Sequence, residues 1–118
     1  MTVEANLFGS VQGLVSGRCY PDEAPATATP PYIVYQQVGG EAPTFLENAL
    51  PSKENGRFQF TVWAQTRIQA KAISKQIEAA LVADTDFQAR PLGSPIAVID
   101  EDTKLRGSRQ DFTVWSNR

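Results

Sequence analysis

Two runs of seven residues constrain this chain more than any other feature. Arg57-Phe-Gln-Phe-Thr-Val-Trp63 and Arg109-Gln-Asp-Phe-Thr-Val-Trp115 share Arg, Phe, Thr, Val and Trp at equal offsets. Each alternates with the period of two that a pleated strand imposes. Phe58, Phe60 and Val62 fall on one side of the first run, and Phe112 and Val114 on one side of the second. Arg, Thr and Trp fall on the opposite side of both. Two neighbouring strands under one packing demand produce such a match. The flanking segments do not match, which argues against an internal repeat. The apolar sides need a cover. The opposite face carries Trp63 and Trp115 among polar side chains, and large aromatics so placed are either covered by another element or used at an interface.

The cover is legible in the segment that follows the first run. Thr66 with Gln69 three residues on is a capping-box pattern. Ala70, Ile73, Ile77, Ala80 and Leu81 then recur at helical spacing, while Lys71, Lys75 and Glu78 face away. Ile68 and Val82 fall near that charged back, where packing within the chain gives them no role. A first helix is predicted over residues 3–15, with Val3, Leu7, Val11 and Leu14 as its stripe, Thr2 as N-cap and Gly17 as its stop. Gly9 and Gly13 each weaken it by about 1 kcal/mol relative to Ala, so docking rather than propensity must hold it.

The remaining segments follow from turn chemistry. Arg18–Tyr20 reads as a short strand. Four prolines between residues 21 and 31 force an extended, irregular passage. Tyr32–Val38 reads as a strand stopped by Gly39 and Gly40. Residues 41–55 form a long connection that contains Phe45, Leu46 and Leu50 and so is no plain solvated tether. Residues 84–95 read as a loop, Ile96–Ile99 as a strand, 100–107 as a turn region and Ser108–Trp115 as the last strand. The prediction is an α+β fold, one domain over residues 1–118. It has a mainly antiparallel sheet of four or five strands and two helices packed mainly on one face.

Composition narrows the chemistry. The 118 residues contain no histidine, which removes the commonest general base and metal ligand. The single cysteine, Cys19, has no disulfide partner within the chain and no histidine to activate it. No phosphate-binding glycine loop is present. Asp100-Glu101-Asp102 is the one carboxylate cluster. It lacks the spacing of a calcium loop and reads as a solvated hairpin turn. Asp84 and Asp86 read as the end of the second helix. Eleven Lys and Arg against thirteen Asp and Glu give a net charge of −2, without the basic stripe that grips nucleic acid. No apolar run approaches the ~20 residues of a membrane span. The N-terminus has neither a basic segment nor an apolar core, so no secretory leader is expected. The chain reads as a non-enzyme without cofactor or metal, and as a protein of the cytosol where it is made.

Order and spacing together carry a resemblance. Arg18-Cys-Tyr-Pro21 is followed by the proline-rich gap and Pro31-Tyr-Ile-Val-Tyr-Gln36. After the long connection come Arg57-Phe-Gln-Phe-Thr-Val-Trp-Ala64, the amphipathic helix with Ala72 and Ile73, and the closing Asp111-Phe-Thr-Val-Trp115. Over nearly its whole length the chain resembles the tail-completion (tail-terminator) proteins of long-tailed phages and prophages. The resemblance implies a structural protein of the virion, assembled in the host cytoplasm. Such a protein forms a ring, commonly a hexamer, on the head-proximal end of the tail tube. It stops tube growth and helps join tail to head. Its partners would be further copies of itself, the tail tube protein and a head connector protein, with DNA passing through without being gripped. A ring needs two different patches per subunit. One is expected on the 41–55 connection (Phe45, Leu46, Leu50). The other is expected on the back of the second helix with Ile68 and Val82, and Trp63 and Trp115 are further interface candidates. Two other readings stay open: a head-side connector or adaptor, and a non-catalytic bacterial module binding a peptide or ligand on the Trp63–Trp115 face.

Overall fold

The two matching runs pair with each other. A computed structural model describes residues 2–42 and 52–118. In it β3 (Lys53–Ala64) and β6 (Arg106–Asn117) form an antiparallel ribbon over their full lengths, with Phe58 opposite Phe112 and Thr61 opposite Arg109. The predicted alternation holds: Phe58, Phe60, Val62, Phe112 and Val114 are all buried. Phe60 packs edge-to-face on Phe112 and stacks on Tyr35, with centroids 5.8 and 5.9 Å apart. Removing each such ring from water contributes about 1.5–3 kcal/mol.

The ribbon is the middle of a six-stranded sheet. β2 (Tyr32–Gly39) pairs antiparallel with β3, and β1 (Cys19–Pro21) pairs with β2 in parallel. On the other side β6 pairs with both β4 (Gln88–Pro91) and β5 (Ile96–Ile99). The α+β, mainly antiparallel architecture is as expected. The sheet has one strand more than the predicted four or five, because the segment read as a loop, 84–95, contains β4. Pro91 disguised it. An edge strand tolerates proline where a central one does not, and Gln88–Pro91 has no partner on its outer side. β4 and β5 lie end to end along β6, interrupted at Gly93–Pro95. β3 also begins earlier than predicted, at Lys53.

Both helices lie on the face that carries Phe58, Phe60 and Phe112. α2 (Arg67–Ala83) buries Ala70, Ile73, Ser74, Ile77 and Leu81 against β3, β6 and β4. Its N-terminus is capped as predicted, with Thr66 Oγ1 accepting from the Gln69 N–H at 3.1 Å. Ser74 joins the stripe and Ala80 is only half-buried. α1 (Val3–Val11) starts at Thr2, whose hydroxyl accepts from the Ala5 N–H. It tightens into a 3₁₀ turn over Gln12–Val15 before Ser16 and Gly17 end it in the left-handed region. The tighter winding rotates the stripe, so Val15 rather than Leu14 is fully buried beside Leu7 and Val11, and Leu14 packs at the margin. Gly9 and Gly13 have nothing within 4 Å of an added Cβ. The helix is held through Leu7, Val11 and Val15, as its weak propensity required.

Candidate functional site

With both helices on one face, no helix among the described residues covers the other. The outer face of β2, β3 and β6 presents Tyr32, Val34, Thr61, Trp63, Arg109, Asp111, Thr113 and Trp115, all half-buried. Tyr20 of β1 meets Tyr32 edge-to-face, with centroids 6.2 Å apart. Trp63 lies opposite Gly107, and its ring crosses that glycine. A Cβ on Gly107 would stand 2.8 Å from Trp63 Cζ3 and 2.7 Å from Val98 Cγ2. Only a residue without a side chain leaves room for the indole there. Further along, Arg57 Nη2 reaches Asp111 Oδ2 at 2.7 Å and Gln59 donates to Asp111 Oδ1, which fixes the polar centre of the face.

The four interface candidates among the described residues do not form one patch. Trp115 and Val82 come together at one end of the molecule. They line a groove of about 730 Å³ with Lys53, Asp84, Asp86 and Gln88. Trp63 sits at the far end of β3. Ile68 stands 84% exposed at the start of α2, and Val82 is 53% exposed at its end. Phe45, Leu46 and Leu50 lie outside the described residues. Sequence reasoning did not single out three further exposed apolar residues, because their exposure depends on where β5 and the end of β4 lie in the sheet. Leu92, Ile96 and Ile99 are exposed along the outer edge of the sheet.

Beside that edge a cleft of about 720 Å³ separates α2 from β4 and β5. It is lined by Arg67, Lys71, Lys75 and Glu78 on the helix side and by Pro91, Pro95 and Ala97 on the sheet side. Gln110 ties its two walls together: its Nε2 donates to Glu78 Oε1 at 2.9 Å and to the Gly93 carbonyl at 2.8 Å. Its Oε1 is buried and has no partner among the described residues.

Little here could do covalent chemistry. Burial pushes the Cys19 thiol up to about 12, so the thiolate a nucleophile needs is disfavoured. Among the described residues no group of three Asp, Glu, Cys or His could hold a metal ion. The acidic turn is a hairpin turn, as read. Asp100 Oδ1 accepts from the Asp102 and Thr103 N–H groups, and those bonds lower its pKa. Asp84 likewise accepts from the Asp86 N–H just beyond α2. Among the described residues no helix is long and apolar enough to cross a membrane.

The half-buried aromatics of the outer face and the open cleft beside α2 are the surfaces these elements leave for contact. No curated protein matches the chain. A family model does: Tail completion protein gp17, over residues 7–117, from the first buried turn of α1 to the last residue of β6. The chain therefore belongs to the tail completion protein gp17 family, and its role lies in phage tail assembly.

Proposed function

We propose that the protein caps the head-proximal end of the tail tube as a ring, with six copies the expected number, and helps join the tail to the head. It acts in the virion after assembly in the host cytoplasm, and its neighbours are further copies of itself, the tail tube protein and a head connector protein. The observation that carries this reading is the extent of the family match, which runs through both matching strands and both helices. The outer sheet face supports it. Half-buried Trp63, Trp115 and Tyr32 on a face without a helix are what a subunit that finishes its packing in an assembly would present. The exposed Ile68 and Val82 and the segment bearing Phe45, Leu46 and Leu50 are assigned to subunit contacts on the same ground. The net charge of −2 fits a ring through which DNA passes without being held.

Electron microscopy of tails assembled with and without the protein tests the reading. Tails of uncontrolled length without it support termination. Tails of normal length that fail to join heads would instead make it a head-side adaptor. A chain carrying Phe45→Ser and Leu46→Ser is expected to keep its circular dichroism spectrum and lose termination, and normal termination by that variant would remove the segment from the contact surface.

A further inference from the structure

A row of cations on α2 and a group of carboxylates beside β1 lie at opposite edges of the sheet, and the Asp100-Glu101-Asp102 turn that closes β5 is the acidic exception on the cationic side. On the β4–β5 edge, Arg67, Lys71 and Lys75 follow one another at four-residue spacing along α2 and line one wall of the cleft. All three are exposed. The ion pairs among the described residues are Arg57–Asp111 and Lys104–Glu101, so none of the three is neutralised there. Glu78, the carboxylate of the same wall, is engaged by Gln110.

The β1 edge is the reverse. Asp22 is tied to it, its N–H donating to the Tyr35 carbonyl at 2.8 Å, and Glu23 follows with its N–H on the Pro21 carbonyl. Glu4, in the first turn of α1, lies toward the same side of the sheet, since its neighbour Val3 lines a small cavity with Gln37 of β2. Burial first, then the Cys19 thiol and the Glu4 and Asp22 carboxylates, push the Tyr35 hydroxyl above its ordinary pKa. The cation nearest in sequence, Arg18, donates its Nε to the Pro31 carbonyl at 2.9 Å. Glu4, Asp22 and Glu23 are exposed and form no ion pair among the described residues.

The order β1-β2-β3-β6-β4 sets these patches at opposite ends of the sheet. Like charge on both edges would drive copies apart, and one mixed patch would favour a two-fold pair. Opposite charge on opposite edges favours head-to-tail contact, the arrangement that generates rings. We infer that successive copies of this chain join edge to edge, with the Arg67–Lys71–Lys75 wall of one subunit against the Glu4–Asp22–Glu23 edge of the next. The contact rests on the ring reading above and names its two opposing surfaces. On the sheet side of the same cleft, Pro91, Pro95 and Ala97 are exposed and supply the contact's apolar part.

A charge swap tests it. Lys71→Glu with Lys75→Glu reverses one side, and Glu4→Lys with Glu23→Lys reverses the other. Asp22 is left alone because its φ of 67° suits Asp and would strain Lys. Thermal melts establish that each chain folds. In tails assembled with these chains, either two-fold variant is expected to lower the fraction of occupied tail ends roughly tenfold. The four-fold variant, complementary again, is expected to restore it. Native occupancy by the two-fold variants, or no rescue by the four-fold one, overturns the pairing. If the native chain itself leaves tail ends empty, the tail reading fails, and the pairing is judged separately. An oxidised Lys71→Cys/Glu23→Cys chain then gives disulfide-linked oligomers beyond the dimer if the pairing is right, and monomer alone overturns it. Cys19, buried, stays out of that reaction.

Discussion

Phe112 and Trp115 stand three residues apart on one strand, and they belong to different kinds of surface. Phe112 is fully buried between Phe60 and the helices, whereas Trp115 is half-buried at the rim of a polar groove. The same holds for Phe60 and Trp63 on the partner strand. The inner face is closed by two helices and its energetics are those of a core. The outer face sets Trp63, Trp115 and Tyr32 among polar side chains, and among the described residues no helix covers it. One strand pattern thus serves both stability and contact, each on alternate residues, and the two can be separated by mutation.

The largest expected effect breaks the comparison if it fails. Phe112→Ala should cost about 3–5 kcal/mol, read from denaturant unfolding, because its neighbours cannot close the cavity. Trp115→Ala should cost no more than about 1.5 kcal/mol while impairing tail assembly, since the half-exposed ring loses far less buried area. Equal losses would mean that the faces do not differ in kind. Gly107→Ala comes next, at about 1–3 kcal/mol, as the new methyl displaces the Trp63 ring and Val98. A shift in tryptophan fluorescence would accompany it. Arg57→Ala should cost only about 0.2–1 kcal/mol by the same unfolding measurement, because the guanidinium is 52% exposed and its pair with Asp111 is screened. Gly9→Ala should raise stability by up to about 1 kcal/mol, because the site is open and helical.

The candidate surfaces were only partly legible. Ile68 and Val82 were found because helical periodicity puts an apolar residue on a charged back, and that mismatch is visible without coordinates. Trp63 and Trp115 were found because strand periodicity separates them from the core phenylalanines. The cleft beside Arg67, Lys71 and Lys75 was not, since its second wall is β4. Four residues ending in proline look like loop until a neighbouring strand is there to pair them. The placement of the cationic row opposite the carboxylates beside β1 was hidden for the same reason, because charge has a location only once strand order is known.

The sequence by itself determined the strands other than β4, the two helices with their Thr2 and Thr66 N-caps, and most of the side each buries. These depend on local periodicity and on hydrogen bonds between near neighbours, such as Thr66 to Gln69. It also determined the absence of histidine and with it much of the chemistry excluded. That α1 and α2 lie mainly on one face was expected from the sequence, and the tertiary structure decided how α1 docks there. That arrangement turns on long-range packing of Leu7, Val11 and Val15 beside Leu81, and it left Trp63 and Trp115 uncovered. The tertiary structure alone decided the register in which the matching strands pair, that Gly107 makes room for Trp63, and that the cationic row and the carboxylates beside β1 lie at opposite ends of one sheet.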